Sequence, residues 1–327
     1  MTTIYVSDPV HDDVLTELRE LGEIHLGYGP AAVTYQQVQH TVDAVLLRGE
    51  VFDRGKITNS PRLKIIARHG VGSDNVDLDA ASDADVWVTT TPGRNSRAVA
   101  EHVFALTLAL ARKIPTAAGR TRAGRWSESK AELTGFELHG RTLGLLGLGS
   151  IGSLVLQIAR GFGMRVLVTD PVLDSAQVAA LGARKVELDD LLAGSDVLSL
   201  HVPLTDTTRH IVGAAALAAL RPGAVLVNTS RGGLVDEAAL VDALRSGHLA
   251  GAALDVLEAE AVDMKNPLPH NAVPIDALDN LIVTPHVAGQ TEESLREVGR
   301  AALACIRQAL AGDVPDNHLN TVRVPAA

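Results

Sequence analysis

Only one cysteine, Cys305, occurs in 327 residues. No disulfide can form within the chain, and nothing calls for an oxidising compartment. Aromatic residues are scarce too, at 3%. The cores must therefore be built from aliphatic residues and alanine, and a stacking platform for single-stranded nucleic acid is not expected. Positive charge is in deficit: 29 Lys and Arg against 39 Asp and Glu leave a formal charge of −10. Such a surface repels phosphate backbones, so no nucleic-acid partner is expected. No apolar run reaches the ~18 residues of a membrane span. The richest, residues 98–111, is broken by Glu101 and His102. Residues 1–13 lack a basic segment followed by an apolar one, so no secretory leader is expected. There is no HExxH, and one cysteine cannot build a Cys-rich zinc site, so no metal is expected. These absences leave a cytoplasmic globular protein without a membrane partner.

What is present has a rhythm. Short β-branched runs alternate with Ala- and Leu-rich helical stretches, the pattern of βαβ units in a parallel sheet. In a first series, strands are expected at residues 3–7, 44–47, 64–67 and 87–89, with a helix over 12–21. A long helical pattern follows over 96–113, with Val99, Val103, Leu106 and Leu110 on one face and Pro115 as its stop. Residues 120–130 are polar and basic, a surface loop or an arm. A second series places strands at 142–146, 165–169, 197–200, 224–228, 251–255 and 281–283, with helices over 151–161 and 236–246. A last helix, 291–311, can return to the first series. The expected organisation is a discontinuous domain, residues 1–96 plus 289–327, with a second domain, 97–288, inserted in it.

Gly147-Leu148-Gly149-Ser150-Ile151-Gly152 reads G-x-G-x-x-G directly after a strand and at the opening of a helix. In that context the first glycine permits a tight turn, the second admits a pyrophosphate, and the third lets helix and strand pack closely. The amides of Ser150 and Ile151 would face the phosphates. Asp170 ends the next strand, 21 residues after Gly149, where a carboxylate receives the adenosine ribose of NAD and repels the 2′-phosphate of NADP. The bland alternative is a glycine turn with a cap at Asp170.

Three further segments end later strands, and ligands of such sheets bind beyond those ends. They carry Arg231, the acidic pair Glu258 and Glu260, and His286. The set suits reduction of a keto acid: a histidine supplies a proton near neutrality, a carboxylate orients it, and an arginine holds the substrate carboxylate. With 12 histidines in the chain, a structural role for His286 is the competing reading.

The chain closely resembles the D-isomer-specific 2-hydroxyacid dehydrogenase family over essentially its full length. The resemblance rests on the runs 68–77, 92–96, 99–102, 143–152, 201–204, 228–236, 253–256 and 284–286. It implies an α/β architecture of two doubly wound parallel sheets, a Rossmann NAD-binding domain inserted into a flavodoxin-like substrate domain, in a short-form homodimer resembling phosphoglycerate, glycerate and hydroxypyruvate dehydrogenases. It implies catalytic Arg231, Glu260 and His286, the glutamate being chosen five residues after Asp255. Around NAD it implies His201, Val202, Pro203, Thr208, Thr229, Ser230, Asp255 and Gly289 besides the glycine turn. For the substrate it implies Arg48, His69, Val71, Gly72 and Arg231, with closure of a cleft between the domains. Ala261 stands where the family usually has proline, and 261–280 is long. Hydroxypyruvate or glyoxylate, 3-phosphoglycerate (with its keto acid 3-phosphohydroxypyruvate) and a bulkier 2-keto acid remain open as substrates, with Arg48 and Arg68 as phosphate candidates. The competing class is a non-enzymatic NAD(H)-sensing, corepressor-like protein. Residues 120–138 match the family's dimer arm, where Trp126 is either an interface anchor or core.

Overall fold

The computed structural model describes residues 1–128, 130–264 and 266–323. Two compact units are present: residues 1–95 together with the chain from Gln290, and Ser96–Gly289.

The first unit contains β1 (Thr3–Val6), β2 (Glu23–Leu26), β3 (Ala44–Leu47), β4 (Ile65–Arg68) and β5 (Trp87–Thr89). They form one parallel sheet in the order β2-β1-β3-β4-β5, the flavodoxin-like order. Its central strands are apolar on both faces, as a sheet covered on both sides requires. Ile4, Ala44, Leu46 and Ile65 face one core, and Tyr5, Val45, Leu47 and Ile66 the other. Helix Glu292–Ala311 completes the first of these cores with Ala302, Leu303 and Ile306, so the end of the chain belongs to its beginning.

The second unit contains β6 (Thr142–Leu146), β7 (Arg165–Thr169), β8 (Arg184–Lys185), β9 (Val197–Leu200), β10 (Ala224–Asn228), β11 (Leu249–Leu254) and β12 (Leu281–Val283). The order β12-β11-β10-β9-β6-β7-β8, parallel throughout, is the doubly wound Rossmann order with one added edge strand. Strand order reverses between β6 and β9, which opens a crevice at their carboxyl ends. No described helix is long and apolar enough to cross a membrane.

Several local expectations need correction. β2 and β8 were not anticipated. The helix expected over 96–113 ends at Ala111; Lys113, with φ +50°, starts helix Ile114–Arg122. Pro115 opens this helix, where its missing N–H costs nothing, so part of the expected loop at 120–130 is helical. β4 and β11 are shifted by one or two residues from the expected positions.

Candidate active site

β6 runs into the glycine turn, and helix Ser150–Gly161 follows. Gly147 has φ +97°, and a Cβ on it would lie 2.7 Å from the His201 carbonyl oxygen. A Cβ on Gly152 would lie 2.4 Å from the Gly147 carbonyl oxygen, so the helix seats on the turn only because that position is glycine. Gly149 is different: a Cβ there meets nothing within 4 Å. The space lies before a helix N-terminus, whose first amides, at Ser150 and Ile151, have no partner within the helix and attract anions.

Asp170 follows β7. Its Oδ2 accepts the Leu148 amide at 2.8 Å, and its Oδ1 accepts those of Val172 and Leu173 at 2.8 and 3.0 Å. It therefore ties the glycine turn to its own turn. Burial pushes its carboxyl up, but the three amides and Lys185 outweigh this and hold it below the usual range. The carboxylate stays charged and keeps acceptor capacity for a ribose hydroxyl.

His201, Val202 and Pro203 leave β9 on the other side of the crevice. His201 Nε2 lies 2.9 Å from Ser199 Oγ, and burial lowers its pKa to about 4. Thr208 Oγ1 donates to the Pro203 carbonyl at 2.7 Å and accepts the Thr205 amide, closing this loop. Ser230 Oγ donates to the Val202 carbonyl at 2.7 Å, joining the loops after β9 and β10. Beside it, Thr229 Oγ1 is buried without a hydrogen-bond partner among the described residues. The glycine cradle, the charged Asp170 and this orphaned hydroxyl are donor and acceptor chemistry that fits a dinucleotide.

Arg231, Glu260 and His286 follow β10, β11 and β12. His286 Nδ1 lies 2.8 Å from Glu260 Oε2, with the imidazole half-exposed and the carboxylate mostly covered. A carboxylate only accepts, so Nδ1 carries the proton and Nε2 is left as the other ring nitrogen, outside this pair. Arg231 precedes the turn Gly232–Leu234, which abuts the turn Glu258–Ala261 that carries Glu260; its Nη1 donates to the Ser230 carbonyl at 2.7 Å. Glu258 pairs instead with His210, at 2.8 Å.

His286 is a non-glycine residue with φ +54°, a conformation that costs about 1–3 kcal/mol and needs support. Asp255 supplies that support. Its main-chain oxygen accepts the His286 amide at 2.9 Å, and its fully buried carboxylate accepts from Thr284 Oγ1, Val287 N and Ala288 N at 2.5, 2.9 and 2.8 Å. Thr284 gives its one proton to Asp255, so His102 Nε2, 3.3 Å from Thr284 Oγ1, is the donor there. Gly289 ends this turn. Sequence reasoning gave Thr284 and His102 no role. Their place in the motif runs was the available signal, but a motif does not say which hydroxyl is buried.

Of the expected substrate residues, Arg231 lies in the second unit, and Arg48, His69, Val71 and Gly72 lie in the first. Arg48 leaves β3 beside β1, where that sheet's strand order reverses, and its amide donates to Ser7 Oγ at 2.9 Å. Burial pushes the Arg48 guanidinium down, Asp8 partly offsets this, and Nη2 donates to Gln290 Oε1. His69 is 8% exposed, and its Nε2 donates to the Leu295 carbonyl at 3.3 Å. Val71 is exposed and Gly72 partly so. Arg68 is neither a solvated charge nor turned outward. It is 7% exposed, and its guanidinium donates to the carbonyls of Gly72 at 2.7 Å, Leu47 at 3.2 Å and Arg48. It clamps the Gly70–Gly72 loop to the end of β3.

The family description "D-isomer specific 2-hydroxyacid dehydrogenase, NAD binding domain" matches residues 104–288. The chain belongs to this family. It is 37% identical over 327 residues to a D-3-phosphoglycerate dehydrogenase of Methanocaldococcus jannaschii, covering 99% of this chain but only 60% of that protein. A glyoxylate reductase of Thermococcus litoralis is 34% identical, covering 97% of this chain and 96% of its own length. Among solved structures, a D-lactate dehydrogenase of Aquifex aeolicus complexed with NAD and lactic acid superimposes with TM-score 0.82 at 30% identity, covering 95% of this chain and 96% of that one. The chain thus spans about three fifths of the phosphoglycerate dehydrogenase it matches and nearly all of the reductase.

Proposed function

We propose that the protein is an NAD-dependent D-2-hydroxyacid dehydrogenase, or 2-keto acid reductase, with His286 as acid and base. The observation that carries this is the 2.8 Å His286–Glu260 pair, built on the same sheet as the glycine cradle. NAD, when bound, supplies the hydride chemistry at C2 of the substrate. His286 gives a proton to the substrate oxygen in reduction and takes it in oxidation, Glu260 holds the imidazole in the required tautomer, and Arg231 binds the carboxylate. The relatives quoted above are named as dehydrogenases and reductases, which gives the sensor reading no support.

For the substrate, Arg68 is decisive. Its Nε and Nη1 donate to three carbonyls, which supports a role in holding the Gly70–Gly72 loop over one in binding a phosphate. Glyoxylate or hydroxypyruvate is the proposed substrate, over 3-phosphohydroxypyruvate. Following NADH absorbance with these acids should give a kcat/KM at least about tenfold higher for the unphosphorylated ones. Preference for the phosphorylated acid would overturn the substrate assignment, and no turnover with any 2-keto acid would overturn the activity.

The proposal extends to a cytoplasmic homodimer. Helix Ile114–Arg122 has no buried residue, Ile114 is 52% exposed and Trp126 73%, so Trp126 is not core. A second copy of the chain covering this arm explains such apolar exposure. Light scattering should give twice 34.3 kDa for the native protein and the single mass for I114E/W126E at roughly micromolar concentration. A monomeric native protein, or a dimer indifferent to both changes, would remove the arm as the interface.

A further inference from the structure

The turn Glu258–Ala261 aims Glu260 at His286. Its neighbour is the turn Gly232–Leu234, which follows Arg231. The two meet backbone to backbone: a Cβ on Gly232 would lie 2.0 Å from the Leu257 carbonyl carbon and 2.3 Å from the Glu258 nitrogen. No side chain fits between them.

One buried carboxylate grips that junction. Glu237 opens helix Glu237–Arg245, is 6% exposed, and accepts the Glu258 amide on Oε1 at 2.7 Å. The preceding amide, of Leu257, donates at 2.9 Å to Glu260 Oε1, which leaves Glu260 Oε2 for His286. Two adjacent amides are thus taken by two glutamates. Outside the junction, the His210 amide donates to the Gly233 carbonyl at 2.8 Å while its Nε2 meets Glu258 Oε1 at 2.8 Å. Burial pushes the Glu237 carboxyl up, and the Glu258 and Glu260 charges push the same way. A carboxyl group buried at a site so hostile to charge is a costly means of satisfying one amide, and its position is what it contributes.

We propose that Glu237 is a positioning residue: it registers the Glu260 turn against the Arg231 turn and so directs Glu260 to His286. The kinetic part rests on the dehydrogenase reading; the structural part does not.

Glu237→Met keeps the volume and removes the acceptor, whereas Glu237→Gln keeps an acceptor oxygen. Native-state hydrogen exchange should show the Glu258 amide exchanging roughly tenfold faster in E237M and unchanged in E237Q. With NADH and the preferred keto acid, kcat should fall roughly tenfold in E237M, with NADH affinity unchanged, and stay within about threefold of native in E237Q. On an E260Q background, E237M should cost nothing further, because the lost interaction acts through Glu260. An unaltered Glu258 amide in E237M overturns the proposal, as does a full E237M loss on top of E260Q. If the dehydrogenase reading itself fails, the native protein turns over no keto acid, and the exchange experiment still decides whether Glu237 holds the turn.

Discussion

Replacing His286 by asparagine should lower kcat about 10³-fold while NADH binding stays within roughly twofold of native. Asparagine can place an N–H near the position of imidazole Nδ1, so the contact with Glu260, 2.8 Å in the native protein, is retained in kind. What it lacks is a titratable nitrogen on the substrate side. The substrate alkoxide must then take its proton from water, and the loss falls on kcat and kcat/KM alike. The substitution is also kind to the fold. His286 sits at φ +54°, and asparagine visits that region as readily as any side chain. A fall in activity therefore cannot be attributed to a broken turn. NADH fluorescence titration and steady-state kinetics on one preparation separate the two quantities. Undiminished turnover would remove His286 from the chemistry. Loss of NADH binding together with turnover would show instead that the residue serves the cofactor site.

The parts legible in the sequence are those whose cause is local. The glycine turn is read from three positions because Gly147 and Gly152 answer contacts within a few residues or across one strand pair, and Gly149 keeps the space before the helix open. Strands buried on both faces, such as β6 and β10, announce themselves as continuous apolar runs. β2 and β8 do not. Glu23–Leu26 is an edge strand with no buried residue, and Arg184–Lys185 is two charged residues whose extended form comes from pairing with β7. The break at Lys113 was hidden for another reason: proline after a helical run reads equally well as the end of one helix or the first turn of the next. In the site, residue types at strand ends were legible and directions were not. No pattern reveals that Arg68 turns inward onto three carbonyls, that Asp255 spends its carboxylate on the 284–288 turn, or that Glu258 faces His210 while Glu260 faces His286. Those are decided by tertiary hydrogen bonding, where a buried polar group takes whichever partner the fold brings.

Acid should destabilise both units well above the range in which carboxylates titrate. His69 and His201 have folded pKa values lowered from 6.5 to about 4. For His69, burial is the larger cause, with the Arg48 and then the Arg68 charge adding to it; for His201 the cause is burial. As pH falls below 6.5 the unfolded chain takes up a proton on each histidine while the folded chain does not. The unfolded state then binds more protons, so stability falls with falling pH throughout the window from about 6.5 to about 4. Above 6.5 neither histidine makes stability depend on pH, and below 4 the loss is complete. For His69, 8% exposed, the full loss is on the order of 3 kcal/mol. The residue His201 is only partly covered, so solvent screening makes its share smaller. The two lie in different units, His69 in the first and His201 in the second, so each unit carries its own acid sensitivity. Urea unfolding between pH 7.5 and 4.5, followed by hydrogen exchange to resolve the units, measures this. His69→Gln should flatten the slope of the first unit and leave the second unchanged, and His201→Gln should do the reverse. Gln can still donate to the Leu295 carbonyl in place of His69, so neutral-pH stability there should drop by no more than about 1 kcal/mol. Native stability that does not change down to pH 5 would mean that both imidazoles titrate as they do in the unfolded chain, and the burial argument for them would fail.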